Sequence, residues 1–477
     1  MNPYPPWLNA GDNAWQLVAA TLVGLMSIPG IAILYGGIVQ RKWAVNTMLM
    51  AFTGFSLVLV VWVLWVFKMG FGTPLKLGPG IFSNFVGHPG PILGRANQEQ
   101  AQIPLLKDSI PQFRFPQSTL AYFQFVFAGI TPVLFLGSVI GRINFRVWLI
   151  FVPLWSTLAY SVNAFLLWGG GWWAQRGALD YSGGYVIHLA AGTSGFVAAA
   201  VIGPRLARDR ARSIPNNLPM AAAGAGILWL GWNGFNGGDP YFAGADASTA
   251  VVNTNLATAT ALLAWVVLDM LVGIDHKPTF LGAVNGMITG LVAITPAAGY
   301  VNGLGALLTG IIASTLVWLS WNKLSKVKPF RTVDDALGVV HTHGVAGLCG
   351  GLLVGLFADP HIIVYLGTGA TPHVSYSGLL YGNPRQLLWQ AGAALTVILW
   401  DALITFIILK FLSLFMDLRL PEEALQTGDL AVHDEEAYPV ETLVRADGTR
   451  QVIAPPAIVS TAAPPTQLAS PNPPPKT

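Results

Sequence analysis

The feature that most constrains this chain is a series of long apolar runs. A helix needs about 20 mostly apolar residues to cross the hydrocarbon core of a bilayer. Runs of that kind lie near residues 15–38, 46–67, 117–140, 146–168, 184–203, 217–236, 250–273, 279–298, 303–321, 337–358 and 387–416. They are continuous rather than alternating, which is typical of spanning helices and not of barrel strands. We therefore expect an all-α, polytopic membrane protein with eleven transmembrane helices.

The composition agrees with a chain that contacts lipid over much of its surface. Only 10% of its residues are charged, against about 25% in soluble domains. A net charge of +3 gives no reason to expect a nucleic-acid partner. The single cysteine, Cys349, excludes both a disulfide framework and a cysteine-based metal site. No Lys or Arg precedes the first run, so we expect that run to be a retained helix and not a cleaved signal.

The basic residues between the runs predict an orientation. If the N-terminus is outside, the inner loops hold Arg41, Lys42, Arg142, Arg146, Arg205, Arg208, Arg210, Arg212, Lys277, Lys323, Lys326, Lys328 and Arg331. The short outer loops hold only Arg176 and Arg385. Because Lys and Arg collect on the cytoplasmic side, we expect the N-terminus outside and the C-terminus in the cytoplasm, in the inner (cytoplasmic) membrane of a cell.

Three regions follow along the chain. Residues 1–416 are expected to form the transmembrane domain. Residues 417–453 are charged and of mixed composition, which is typical of a folded or docking cytoplasmic segment. Residues 454–477 are rich in Pro, Ala and Ser, which predicts a disordered tail.

Two of the runs contain the same short pattern. The fifth reads Asp180, seven residues, His188, two residues, Ala-Gly, and the tenth repeats that spacing from Asp335 and His343. The two runs are five spans apart and so cross the membrane in opposite senses. This predicts an inverted repeat of five helices plus five, with an extra C-terminal helix, and a working site at the midplane.

The spacing also predicts depth. At 1.5 Å per residue, each His lies about 12 Å along the helix from its Asp. Asp180 and Asp335 then lie near opposite membrane surfaces, where they either cap helix N-termini or contact a substrate. His188 and His343 lie near the middle, where an ionisable side chain indicates function. The alternative is a neutral ring satisfied by a backbone carbonyl.

A further histidine, His341, lies two residues before His343. Two residues turn a helix by about 200°, so the two rings cannot share a face. A His-x-His metal site is therefore not expected, and His341 is assigned to a neighbouring helix or a side pocket.

Aromatic and acidic residues collect at the predicted outer ends of helices three, four and six. Trp168, Phe127, Phe235 and Asp239 can surround one external vestibule, where aromatic faces and a carboxylate would replace water around a cation. Taken singly, a Trp at a membrane end is usually an interfacial anchor and a Phe is usually packing. Gln124 and Trp232, in the same motifs, are expected to support this site.

At this point the motifs resemble the ammonium transporter/Rhesus family, in particular its bacterial ammonium-transporter branch. They are, in family order, GDNAWQLVAATLVGLMSIPGIAILYGG, FQFVFAGITP, WGGG, DYSGGYVIHLAAG, GWNGFNGG, DDALGVVHTHGVAG and LRLPEEALQTGDLAVHDEEAYP. The resemblance covers most of residues 11–440.

The resemblance implies roles for the residues already singled out. Phe127 and Phe235 look like a stacked gate, Trp168 like the wall of an external ammonium site, and His188 and His343 like twin pore histidines. Asp180 looks like the structural aspartate of the outer half. The family is a homotrimer with one pore per subunit, and some members are gated by small trimeric nitrogen-signalling proteins at the cytoplasmic face.

Several positions depart from the family pattern. Asp239 stands where a small hydroxyl residue is usual, Gly338 replaces a common aspartate, and His341 replaces a glycine. Ile140-Gly141-Arg142 replaces Ala-Glu-Arg, the tail reads HDEE rather than HGEE, and the outer loop 69–116 is longer than in many members. The change at Asp239 bears on the affinity for ammonium. The changes in helix ten and in the tail bear on regulation.

The sequence therefore predicts an ammonium or ammonia channel or transporter, without enzymatic activity, cofactor or bound metal. An ammonium sensor on the same scaffold is the alternative. A membrane metalloenzyme would need more intramembrane His or carboxylates than this pair.

Overall fold

The computed structural model describes residues 4–107, 112–211, 213–362, 364, 375–439, 442–444 and 450–452. The predicted disordered tail, 454–477, lies outside the described residues, as does Arg212 of the predicted inner loops. Within the described ranges the chain is mostly helical, and nine helices are long and apolar enough to cross a membrane. These findings confirm a polytopic, predominantly helical membrane protein.

The long helices follow one another in chain order. They are α1 (Ala10–Ile38), α2 (Arg41–Phe71), α3 (Gln117–Val139), α4 (Phe145–Leu167), α5 (Gly184–Ile202), α6 (Leu218–Gly238), α7 (Ala245–Leu271), α8 (Phe280–Ile294), α9 (Gly303–Lys326), α10 (Val340–Phe357) and α11 (Pro384–Leu412). The nine helices long and apolar enough to cross a membrane are all of these except α6 and α8. Helix α8 has only 15 residues, and Asn, Gly and Trp lower the mean hydropathy of α6.

Five of these helices contain a π-helical turn. The turns are Met26–Ile31, Trp62–Val66, Ser156–Tyr160, Gly184–Leu189 and Val340–Val345. Such turns leave a backbone carbonyl outside the regular ladder and often occur at functional positions. The last two contain His188 and His343.

Helix α3 occupies the middle of the bundle. In the most apolar 18-residue stretch of α3, 94% of the residues are buried inside the protein. The corresponding share in α7 is only 33%. Helices α1, α2 and α5 pack around α3; α7 packs on α8 and α9; and α11 packs on α5. Where α5 and α10 cross, their π-helical turns are in contact.

The segment after α11 folds back on the start of α2 and on the loops after α3 and α5. It forms α12 (Glu422–Thr427), α13 (Asp429–His433) and two short antiparallel strands, β1 (Thr442–Val444) and β2 (Arg450–Val452). The Asp429 carboxylate accepts hydrogen bonds from the backbone N–H groups of Val45 (2.8 Å) and Asn46 (2.9 Å), near the start of α2. The Lys42 ammonium donates to the carbonyl of Leu425 at 2.8 Å. Residues 417–439 are therefore docked on the helical domain.

Candidate functional site

The structure brings His188 and His343 together although they are far apart in sequence. Their ring centroids are 5.5 Å apart and the rings are tilted by 54°. Both side chains are buried, with 0% and 4% of their surface exposed. The two π-helical turns therefore bring their imidazoles side by side where α5 and α10 cross.

The hydrogen bonding of the two rings differs. His343 Nδ1 lies 3.0 Å from the hydroxyl oxygen of Thr342, its neighbour in sequence. Neither ring nitrogen of His188 has a hydrogen-bond partner among the described residues. A buried polar group is normally paired, so a ring left in this way has its donor and its acceptor available for a small polar molecule.

Glycines allow the two helices to approach this closely. A Cβ at Gly192 would overlap the backbone of Gly344, and one at Gly347 would lie 2.6 Å from the carbonyl oxygen of Gly184. Gly192 lies four residues after His188, and Gly347 four residues after His343. The same small residue therefore follows each histidine by one helical turn and contacts the opposite helix.

The two aspartates lie at corresponding ends of these helices. The Asp180 carboxylate accepts hydrogen bonds from the N–H groups of Gly183 (3.1 Å), Tyr185 (3.0 Å) and Val186 (3.0 Å). The Asp335 carboxylate accepts from Val339 (3.1 Å) and Val340 (2.8 Å), and from the Ser138 hydroxyl at 2.8 Å. Each carboxylate thus satisfies N–H groups that a helix start leaves without partners.

Aromatic rings cover the histidine pair on the Asp180 side. The rings of Phe127 and Phe235 are 4.4 Å apart and both are fully buried. Phe235 lies over His188 at 5.8 Å, and the half-buried indole of Trp168 meets Phe127 edge to face at 5.9 Å. A continuous column therefore runs from Trp168 through Phe127 and Phe235 to His188 and His343.

Two more of the predicted residues support this column. The Trp232 indole stacks on His188 at 5.3 Å, and its Nε1 donates to the Thr295 hydroxyl at 2.9 Å. The Gln124 amide donates to the Tyr241 hydroxyl at 2.9 Å. The Trp168 indole N–H donates to the carbonyl of Asp180 at 2.7 Å, which fixes the plane of that ring.

Asp239 lies directly after α6 and is 8% exposed. Its carboxyl group is hydrogen bonded to the hydroxyl of Ser182. The Ser182 oxygen also lies 2.7 Å from the carbonyl oxygen of Phe235. Gly183, the next residue, borders the Trp168 indole. The carboxyl therefore belongs to the mouth of the column.

His341 lies away from the column. Its Nδ1 is 2.7 Å from the Ser320 hydroxyl on α9, and its ring meets the Trp321 indole edge to face at 5.7 Å. His341 and His343 thus face different neighbours. Within the described part of the chain, no group of three or more His, Cys, Asp or Glu residues is arranged to hold a metal ion.

Two features of the structure were missed by sequence reasoning. The first is Ser182, which links the Asp239 carboxyl to the α6 backbone. The sequence feature that could have revealed it is a hydroxyl residue between Asp180 and His188. The second is a buried pair inside the bundle, in which the Asn163 amide donates to the Asp401 carboxyl at 2.8 Å. Its signal was a carboxylate within an apolar run, which is costly in a membrane.

Comparison with known proteins agrees with this arrangement. The sequence model of the Ammonium Transporter Family matches residues 14–438. The chain is 48% identical over 438 residues to Ammonium transporter 2 of Arabidopsis thaliana, covering 91% of this chain and 89% of that protein. It is 47% identical over 447 residues to Ammonium transporter 3 member 2 of Oryza sativa subsp. japonica, covering 91% and 90%.

The fold is also similar to solved structures. The crystal structure of Candida albicans Mep2 superposes with a TM-score of 0.74 at 28% identity, covering 87% of each chain. A structure described as a sensor Amt protein superposes with a TM-score of 0.75 at 22% identity, covering 89% of this chain and 98% of that one, which is a likeness of fold alone. From the extent of the sequence match, this chain belongs to the ammonium transporter family.

Proposed function

We propose that this protein conducts ammonium or ammonia across the cytoplasmic membrane. Ammonium is recruited at the outer mouth by Trp168 and Asp239, passes the rings of Phe127 and Phe235, and enters a narrow passage lined by His188 and His343. The chain carries no catalytic role in this proposal and needs no cofactor or metal.

The observation that supports this most strongly is the state of His188. A fully buried imidazole with neither ring nitrogen bonded to a described residue costs free energy unless something else occupies those positions. Ammonia is a small molecule that both donates and accepts hydrogen bonds, as a neutral imidazole does. A pair of such rings 5.5 Å apart can pass it from one to the other.

The outer mouth supplies what a cation loses when it leaves water. The face of an indole attracts a cation by about 0.5–2 kcal/mol, more when water is excluded. Asp239 adds an oxygen acceptor beside it. Phe127 and Phe235 then bar the hydrated ion, since their ring centroids are only 4.4 Å apart.

We further propose that α6 and α8 complete a set of eleven spans. Helices α1–α5 and α6–α10 form an inverted repeat, and α11 is the additional helix. The matching capping by Asp180 and Asp335 and the matching glycine contacts at the crossing support this repeat. The N-terminus is outside and residues 417–453 lie in the cytoplasm, in keeping with the basic inner loops.

We also propose that the protein assembles as a homotrimer and is regulated at its cytoplasmic face. Exposed apolar side chains on α7, including Val252, Leu263 and Val267, are 64%, 60% and 48% exposed. They suit lipid or the neighbouring subunits of a homotrimer. The docked segment 417–439 lies beside the inner loops, where a small trimeric nitrogen-signalling protein would bind.

Proteoliposomes test the proposal directly. We expect an ammonium gradient to evoke current or uptake in the wild type, a large loss in His188→Ala, and a loss of apparent affinity in Trp168→Leu. His276→Ala is the matched control, because His276 is an exposed histidine in the turn between α7 and α8. Absence of ammonium flux through intact wild-type protein would reject transport. Binding of ammonium without flux would instead favour the sensor alternative.

A further inference from the structure

The hydrogen bonds of Ser182 constrain the protonation of Asp239. The Ser182 hydroxyl oxygen lies 2.7 Å from the carbonyl oxygen of Phe235 and within hydrogen-bond distance of Asp239 Oδ2. A serine hydroxyl carries a single proton, and a backbone carbonyl can only accept. If Asp239 is ionised, the single Ser182 proton can serve only one of these two contacts, and the other contact brings two acceptor oxygens together without a proton between them.

A proton on Asp239 resolves this conflict. The carboxyl O–H then donates to the Ser182 oxygen, and Ser182 in turn donates to the Phe235 carbonyl. Each donor has one acceptor, in a chain of two hydrogen bonds that runs from Asp239 to the α6 backbone. Both hydrogen bonds are buried, where an unmade bond is costly.

The charges around Asp239 favour the neutral form as well. The titratable groups that act on it from the surrounding elements are Asp180, Tyr160, Tyr181, Tyr241 and Tyr300. None of these supplies a positive charge. At the same end of the bundle, Arg114 is already paired with Asp12 at 2.7 Å. A carboxylate that is 8% exposed and has no counter-ion among the residues that the structure describes is strongly disfavoured.

We propose that Asp239 carries a proton when the outer site is empty and releases that proton to the external solution when ammonium binds. The O–H bond of the carboxyl breaks, the proton passes to external water, and an ammonium N–H donates to the carboxylate that remains. One positive charge enters the site and one leaves. The site therefore stays neutral. A second ammonium N–H takes the place of the carboxyl O–H at the Ser182 oxygen, and Ser182 keeps its bond to the Phe235 carbonyl.

This inference rests on the proposed function and adds that ammonium and protons compete for the Asp239 carboxyl. Because ammonium and the proton bind the same carboxyl, each weakens the other by the same factor. While Asp239 is mostly protonated, the half-saturating ammonium concentration should rise about tenfold for each unit by which the external pH falls. This holds at pH values well below the pKa of ammonium, where the substrate is fully protonated throughout.

Uptake into proteoliposomes at several external pH values tests the competition. We expect the wild type to show the tenfold dependence and Asp239→Asn to show none. The amide of asparagine can donate to Ser182 as the protonated acid does, so this variant should fold normally. Asp246→Asn is the matched control, since Asp246 is another buried carboxyl at the outer end, and it should retain the wild-type dependence.

Infrared difference spectra of purified protein give a second readout that does not require flux. Adding ammonium should remove a protonated-carboxyl C=O band and produce a carboxylate band in the wild type, and do neither in Asp239→Asn. A pH-independent half-saturation in conducting wild type, or the same pH dependence in Asp239→Asn, would overturn the inference while leaving transport intact. Absence of both flux and an ammonium-induced band would overturn transport and the inference together.

Discussion

Gly192 of α5 lies directly against Gly344 of α10, at the crossing that holds His188 and His343 together. The obstacle to a larger residue here is backbone, which cannot rotate away as a side chain can. We therefore expect Gly192→Ala to separate the two helices or to prevent their packing. Overpacking of this kind costs about 1–3 kcal/mol or more, and it should lower the thermal unfolding temperature and abolish ammonium uptake.

The control for that prediction is Gly226→Ala on α6. A Cβ added at Gly226 would have no neighbouring atom within 4 Å. The same substitution therefore adds a methyl group there without a clash. Both its unfolding temperature and its uptake should match the wild type or slightly exceed it. Equal behaviour of the two alanine variants would mean that the helix crossing tolerates separation and does not fix the histidine pair.

The pair formed by Asn163 and Asp401 leads to a second prediction. Both side chains are 0% exposed, and the Asn163 amide donates to the Asp401 carboxyl at 2.8 Å. Asp401→Leu removes the acceptor and leaves a buried amide without a partner, which costs about 1–3 kcal/mol. Replacing both residues with Leu removes the orphan group, so the double variant should be more stable than Asp401→Leu alone. Thermal unfolding of Asp401→Leu, Asn163→Leu and the double variant measures the coupling between the two side chains. Additive changes in stability would mean that the two side chains do not stabilise each other.

Trp168 offers a third prediction that separates its ring from its N–H group. Trp168→Phe keeps an aromatic face but loses the donor to the Asp180 carbonyl, whereas Trp168→Leu loses both. The indole is the strongest cation–π partner, and its attraction for a cation is about 0.5–1 kcal/mol at an accessible site. Trp168→Phe should therefore raise the half-saturating ammonium concentration about two- to fivefold. Trp168→Leu should raise it further. If Leu and Phe gave the same concentration dependence in proteoliposomes, the aromatic face would have no part in recruitment.

Much of the architecture was predictable because membrane burial imposes a pattern on each helix separately. The expected run 184–203 corresponds to α5, which spans Gly184–Ile202. The expected run 279–298 was too long, since α8 ends at Ile294 and the chain then turns. The expected start at 337 was also early, because Gly338 has φ +73° and α10 begins at Val340. The count of eleven spans stays a prediction.

The site was predictable to the extent that its residues share helix faces. The facing histidines follow from one spacing repeated in two helices. The hydrogen-bonded link from Asp239 through Ser182 does not, because it depends on where the end of α6 lies relative to the loop before α5. The Asn163–Asp401 pair and the docking of Asp429 likewise join elements whose contact no local pattern specifies.

The docked tail gives a last prediction, in which two groups respond to pH in opposite senses. Burial raises the pKa of Asp429 from its ordinary 3.8 to about 6, although the N–H groups of Asn46 and Val45 lower it and Glu435 and Glu436 raise it. Burial lowers the pKa of His433, whose Nε2 lies 2.9 Å from the Asn46 side-chain oxygen, and Glu435 opposes that shift. The nearby cation, Lys42, bonds Asp209 and the Leu425 carbonyl.

The sign of each effect follows from which state binds the proton more tightly. Docked Asp429 takes up a proton below about pH 6 while the free carboxyl stays ionised to a lower pH, so its contribution to docking is lost as the pH rises through 6. Docked His433 resists protonation, so its contribution is lost as the pH falls through the ordinary value of 6.5. In the wild type the two oppose each other between pH 7.5 and pH 5, approximately.

Single variants should reveal the two effects. In His433→Gln, acidification should tighten docking, and in Asp429→Asn it should loosen docking. The mobility of a nitroxide label at Leu430→Cys, with the buried Cys349 replaced by Ser, reports docking by electron paramagnetic resonance. Glu422→Gln, at an exposed position of α12, is the control and should follow the wild type. A change of mobility with the same sign in both variants would show that these two residues do not control how the tail docks.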